Sequence, residues 1–104
     1  KLMMFGSTPF EMKGQELVLH FAPLIPSYLI GEDQKIQTTF LGKVKVTYKL
    51  AEKKDYIPGQ YQVEEITLKY QGQDYYRTNS SFLENAMAED VRNGKVLEIV
   101  VALR

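Results

Sequence analysis

Apolar and polar residues alternate with period two over much of this chain, the signature of strands that bury one face. Lys43 to Leu50 shows it most cleanly: Val44, Val46, Tyr48 and Leu50 fall on one face, and Lys43, Lys45, Thr47 and Lys49 on the other. Glu16 to Phe21 repeats the pattern, with Leu17, Leu19 and Phe21 set against Glu16, Val18 and His20. Lys35 to Phe40, rich in Thr and Ile, predicts another strand, and Gly42 a tight turn after it. Tyr61 to Tyr70 predicts a long strand whose parity slips. Tyr61 and Val63 occupy one parity, and Ile66, Leu68 and Tyr70 the other. A bulge near Glu64-Glu65 reconciles the two halves. Tyr75-Tyr76-Arg77 follows the Gly72 turn as a short strand, which would send one Tyr into the core and the other outward.

The last third changes period. Leu83, Ala86, Met87, Asp90 and Val91 recur at helical spacing, and all but Asp90 are apolar. Ser81 and Glu84 match a Ser-x-x-Glu capping box and Gly94 supplies the closing signal, so a helix is predicted over about Phe82 to Asn93. Lys95 to Leu103 is then apolar on both parities, interrupted by Glu98, as expected of a strand in the middle of a sheet. Pro23 and Pro26 lack amide donors and bar regular structure from Ala22 to Tyr28, leaving a loop that ends near Gly31-Glu32-Asp33. Pro58-Gly59 closes a charged loop from Ala51. Residues 1–14 mix apolar side chains with breakers, including Ser7, and read as an irregular leader or a short edge strand.

These elements predict an α+β fold in one domain over residues 1–104: a twisted, mainly antiparallel sheet of five or six strands with one face against the helix. The expected core is Leu17, Leu19, Phe21, Val44, Val46, Tyr48, Ile66, Leu68, Leu83, Met87, Val91, Leu97, Ile99 and Val101.

Thirteen basic residues balance thirteen acidic ones, which argues against a nucleic-acid binder driven by excess positive charge. The absence of cysteine excludes disulfides and thiolate metal sites but leaves the compartment open. The chain begins at Lys1 without an initiator Met, so residues ahead of it are expected to have been removed or left out, and a signal peptide or anchor could be among them.

Candidate chemistry is sparse. His20 is the one histidine; with a carboxylate it would suit a small hydrolase or isomerase, and otherwise it is a surface side chain. Glu32-Asp33, Glu64-Glu65 and Glu89-Asp90 are adjacent acids best read as solvated. Lys43, Lys45 and Lys49, with the many tyrosines, would suit a single-stranded nucleic-acid binder, although Tyr48 points away from them. Asn79-Ser80-Ser81 matches a glycosylation sequon and reads more simply as a helix cap. No catalytic set, metal site or cofactor is expected. Contact with a partner is assigned to Pro23, Pro26 and Tyr28 in the loop and to Tyr75, Tyr76 and Arg77.

Three segments resemble the bacterial GDYXXLXY family. They are Gly14 to Leu19 with Pro23-Leu24-Ile25-Pro26 and Leu29-Ile30, then Tyr70 to Tyr76 leading into Asn85 to Asp90, and Gly94 to Val101. Asp33 stands for the Asp of the naming motif; Gln34 replaces its Tyr, Phe40 takes the final Tyr with shifted spacing, and Ile25 replaces the Asp before Pro26. The resemblance implies a small extracytoplasmic domain tethered by an N-terminal membrane helix, with no established activity. A non-enzymatic binding or accessory domain with a protein partner, and no nucleic acid, is the expectation.

Overall fold

A computed structural model describes residues 4–6 and 8–104, omitting the side chain of Gln73. Leu2, Met3 and Ser7 of the expected leader lie outside the described residues. The strands are β1 (Phe10–Lys13), β2 (Glu16–His20), β3 (Lys35–Phe40), β4 (Val44–Leu50), β5 (Val63–Tyr70), β6 (Tyr75–Thr78), β7 (Phe82–Glu84) and β8 (Val96–Leu103), with one α-helix, α1 (Ala86–Arg92). The class is α+β as expected, but the strands form two sheets instead of one. Five strands run in the order β3-β4-β8-β5-β6 and three in the order β1-β2-β7. The prolines after β2 explain the division: the chain cannot turn directly from β2 into β3, so β2 pairs with β1 and β7 instead.

Both sides of β8 carry hydrogen-bonded neighbours, β4 in parallel and β5 antiparallel. Its two-sided apolarity is therefore that of a central strand. Val44, Val46, Tyr48, Ile66, Leu68, Ile99 and Val101 are fully buried on one face of this sheet. Against that face lie Leu17, Leu19 and Leu83 from the smaller sheet and Ala88 and Val91 from α1, all in one continuous cluster. Phe40 of β3 ties the two sheets together, with its ring 4.5 Å from Phe5, 5.7 Å from Phe10 and 6.4 Å from Phe21.

Two expectations about the last third are corrected. Phe82 to Glu84 is strand, not helix: it pairs with β2, placing Leu83 opposite Leu19, and the helix begins only at Ala86. The Ser81–Glu84 capping box does not form. Ladder bonds to β2 and the burial of Leu83 outweigh a local signal worth about 1 kcal/mol. Asn85 makes the sharp turn between them at φ 53° and ψ −119°, its N–H donating to the Leu17 carbonyl at 2.7 Å. The closing signal works as expected. Lys95 N–H donates to the Asp90 carbonyl at 2.9 Å and Gly94 N–H to the Val91 carbonyl at 3.2 Å, with Gly94 at φ 78°.

Leu97 is not in the core; it is 50% exposed. The register shifts where Lys69 faces Glu98 but Tyr70 faces Val96, so Leu97 is the extra residue of a bulge. Val96 takes the buried side and Leu97 is turned to the opposite face. A second irregularity, between Val63 and Glu65, is the bulge expected near Glu64-Glu65. Met87 is half-buried against the cluster. These positions set a direct comparison. Ile99→Ala empties a fully buried site and costs about 2–5 kcal/mol, whereas Leu97→Ala costs less than about 0.5 kcal/mol. Equal losses in denaturant melts would contradict the bulge.

Candidate functional site

Sealing one face of the five-stranded sheet leaves the other uncovered. Strand register arranges its outward side chains in rows. Thr39, Lys45, Glu98, Lys69 and Tyr75 form the first, Gln37, Thr47, Val100, Thr67 and Arg77 the second, and Lys35, Lys49, Ala102 and Glu65 the third. Five cations share this face with two carboxylates in a chain of zero net charge.

The acids on the face are already engaged. Glu98 accepts from the Thr47 hydroxyl at 3.3 Å and lies 3.6 Å from Lys69 Nζ, and Glu65 lies 3.8 Å from Arg77 Nε. These ion pairs are long and solvated, each contributing less than about 1 kcal/mol. Lys35, Lys45 and Lys49 take part in no ion pair among the described residues. Lys35 and Lys49 stand directly opposite each other across β3 and β4, an unfavourable like-charge arrangement.

At the β6 end the face becomes apolar. A cleft of about 600 Å³ is lined there by Tyr70, Gly72, Tyr75 and Leu97, with Lys69, Arg77, Asp74 and Glu98 around it. Tyr75 is 65% exposed, and the Arg77 guanidinium sits 5.9 Å from its ring centroid. The bulge at Leu97 builds this cleft, because it places a large apolar side chain on the open side of a central strand.

The six residues assigned to partner contact fall into two separate groups. Pro23 is buried, and its carbonyl accepts from the Tyr61 hydroxyl at 2.8 Å. Pro26 leads into a single 3-10 turn, Ser27–Leu29. Between them Ile25 exchanges two backbone hydrogen bonds with Tyr56, at 2.9 and 2.8 Å, and Ile25 and Ile30 are buried. The segment is thus a brace for the Ala51–Gly59 loop, with Tyr28 projecting from it at 81% exposure. Tyr75 and Arg77 lie on the open face. Tyr76 shares the core-side parity of Leu68, its partner, yet is exposed because β6 is an edge and only the Met87–Lys95 side approaches it. Neither Tyr75 nor Tyr76 is a core residue, which corrects that expectation. Pro23 neighbours Tyr61, ahead of the Val63 end of β5, while Tyr75 faces Lys69 near its other end. That separation is roughly 20 Å at ~3.3 Å per residue.

His20 Nε2 lies 3.7 Å from a Glu11 oxygen, and both side chains are more than a third exposed. Glu32 faces Lys53 at 3.2 Å and Glu64 faces Arg104 at 3.3 Å. Asp90, the one polar residue on the apolar stripe of the helix, accepts from the Tyr70 hydroxyl at 2.9 Å. Asn79 and Ser81 cap no helix; the Ser80 N–H donates to Thr78 Oγ1 and Ser80 Oγ accepts from the Phe82 N–H in the β6–β7 turn.

Comparison with protein-family models, curated proteins and solved structures finds no match. Among the described residues, no helix is long and apolar enough to cross a membrane.

Tyr48, buried, and Tyr61 and Tyr70, half-buried, hold the scaffold through their hydroxyls. Tyr48 donates to the Met4 carbonyl, and burial pushes its phenol pKa well upward, with the Tyr61 phenol adding to the effect. Burial does the same at Tyr61. Tyr70 is pushed up to about 12 by burial, then by its hydrogen bond to Asp90, then by the Asp90 charge and Tyr76. Folding therefore favours the protonated phenols. Their contribution is complete below the ordinary pKa of 10.0 and is lost as pH rises through the folded-state value. Stability should fall above pH 10.0, and in Tyr70→Phe the fall up to about pH 12 should be smaller. Identical pH profiles for the two proteins would contradict the Tyr70–Asp90 clamp.

Proposed function

We propose that this chain is a non-enzymatic binding or accessory module that engages a protein partner through the open face of its five-stranded sheet. The observation that carries the reading is the contrast between the two faces. One is sealed by the second sheet and the helix, while the other presents Lys35, Lys45 and Lys49, without ion pairs among the described residues, on β3 and β4 and the exposed Tyr75 and Leu97 towards β6. Such mixed surfaces, with an aromatic anchor and charged surroundings, suit protein contact. The bracing role of Pro23 to Ile30 moves the expected contact away from that loop and towards Tyr75 and Arg77. The likeness of Gly14 to Leu19 and Gly94 to Val101 to the GDYXXLXY family supports an extracytoplasmic, membrane-tethered setting.

A photo-crosslinking side chain tests the surface directly. Introduced at position 75 or 97, it should trap a partner whose capture is abolished by Arg77→Asp in the same chain. At position 28 it should trap none. Crosslinks confined to position 28 would return the contact to the proline loop and overturn the proposal.

A further inference from the structure

We infer that the partner presents an extended acidic segment, seated on the Lys35, Lys49 and Lys45 side of the open face. The inference rests on the open face being the binding surface and adds the chemistry of what binds there.

Three observations lead to it. Lys35 and Lys49 are opposed across the ladder, and among the described residues no carboxylate lies within ion-pair distance of either. Asp33, Glu64 and Glu65 line one cleft with Lys35 and Lys49 without pairing to either ammonium: Glu64 faces Arg104, Glu65 faces Arg77, and Asp33 Oδ1 accepts from the Lys35 backbone N–H at 3.3 Å. Two opposed ammonium groups raise the energy of the unbound protein, and an anion placed between them lowers it. Spacing is the second observation. Lys45 and Lys49 lie four residues apart on β4, about 13 Å at ~3.3 Å per residue, the span between side chains i and i+4 of another extended chain. The third is the floor between them, where Gln37 is exposed and Thr47 is buried with its hydroxyl donating to Glu98, a polar bed without an aromatic platform.

That floor favours a peptide over a nucleic acid. Single-stranded nucleic acid is held by stacking its bases on several aromatic rings above a continuous basic track. Here Tyr75 lies at the far edge, and Glu65 and Glu98 interrupt the cations. A peptide can place carboxylates at the lysines and neutral residues opposite the two acids.

The probes are a synthetic peptide of alternating Glu and Thr, its counterpart of alternating Lys and Thr, and oligo-dT, each titrated into isotope-labelled protein at low salt. The acidic peptide should give saturable amide shifts in β3 and β4 that weaken as salt is raised. Lys49→Glu should weaken that binding by about tenfold. The same substitution should raise the melting temperature of the free protein, because it replaces a repulsive cross-strand pair by an attractive one. A merely solvating lysine would not couple the two effects. The inference is overturned by absence of saturable shifts, by equal binding of the basic peptide, or by tighter binding of oligo-dT lost through the same substitution. A lowered melting temperature for Lys49→Glu would overturn it too. If crosslinking at position 75 succeeds while the peptide titration fails, only the acidic-segment inference falls.

Discussion

Two hairpins, β3–β4 and β5–β6, share no ladder with each other; each is joined to the sheet only through β8. This double pairing of the closing strand is the constraint on which the molecule depends. Without it, Val46 and Tyr48 on one side and Ile66 and Leu68 on the other would lose Ile99 and Val101, their cross-strand neighbours. Both hairpins would also expose raw edges. Because β8 is the last strand, the contacts that complete the core span long stretches of sequence. Such a topology folds more slowly than one built from neighbouring hairpins.

The same strand makes the surface. Alternation along β8 directs Ile99 and Val101 inward and Glu98, Val100 and Ala102 outward, while the bulge opposite Tyr70 moves Leu97 to the outward side. Scaffold and candidate site are therefore two faces of one ladder. The helix closes one end of the buried face through Ala88 and Val91, and the Tyr70–Asp90 hydrogen bond fixes it to β5. A polar residue on the apolar stripe of a helix is costly to bury alone. Here Tyr70 supplies its partner.

Much of this was legible in the residues. The alternation in Lys43 to Leu50, the two-sided apolarity of Lys95 to Leu103, the parity slip at Glu64-Glu65 and the stop signal at Gly94 are all written in the residue pattern, and each has its counterpart in the fold. Phe82 to Glu84 was not legible as strand, because its pairing with β2 is a tertiary interaction that competes with a sound local helix signal. Leu97 failed for a related reason: a bulge depends on what the neighbouring strand does. The wet face of β4 was visible, but strand order was not, so the sequence could not place Lys69, Thr67 and Arg77 beside it. Pro23 and Pro26 marked irregular backbone correctly; irregular backbone proved to be a brace around Ile25 rather than a free contact loop.

Hydrogen exchange measured residue by residue tests the central claim most directly. If β8 is held from both sides, the amides of Ile99, Val100 and Val101 should exchange only through global unfolding, and rank among the slowest in the protein. Those of the edge strands β3 and β6 should include faster ones. Amides of β8 that exchange as fast as those of β6 would contradict the account, for they would place the closing strand at a frayed margin of the sheet.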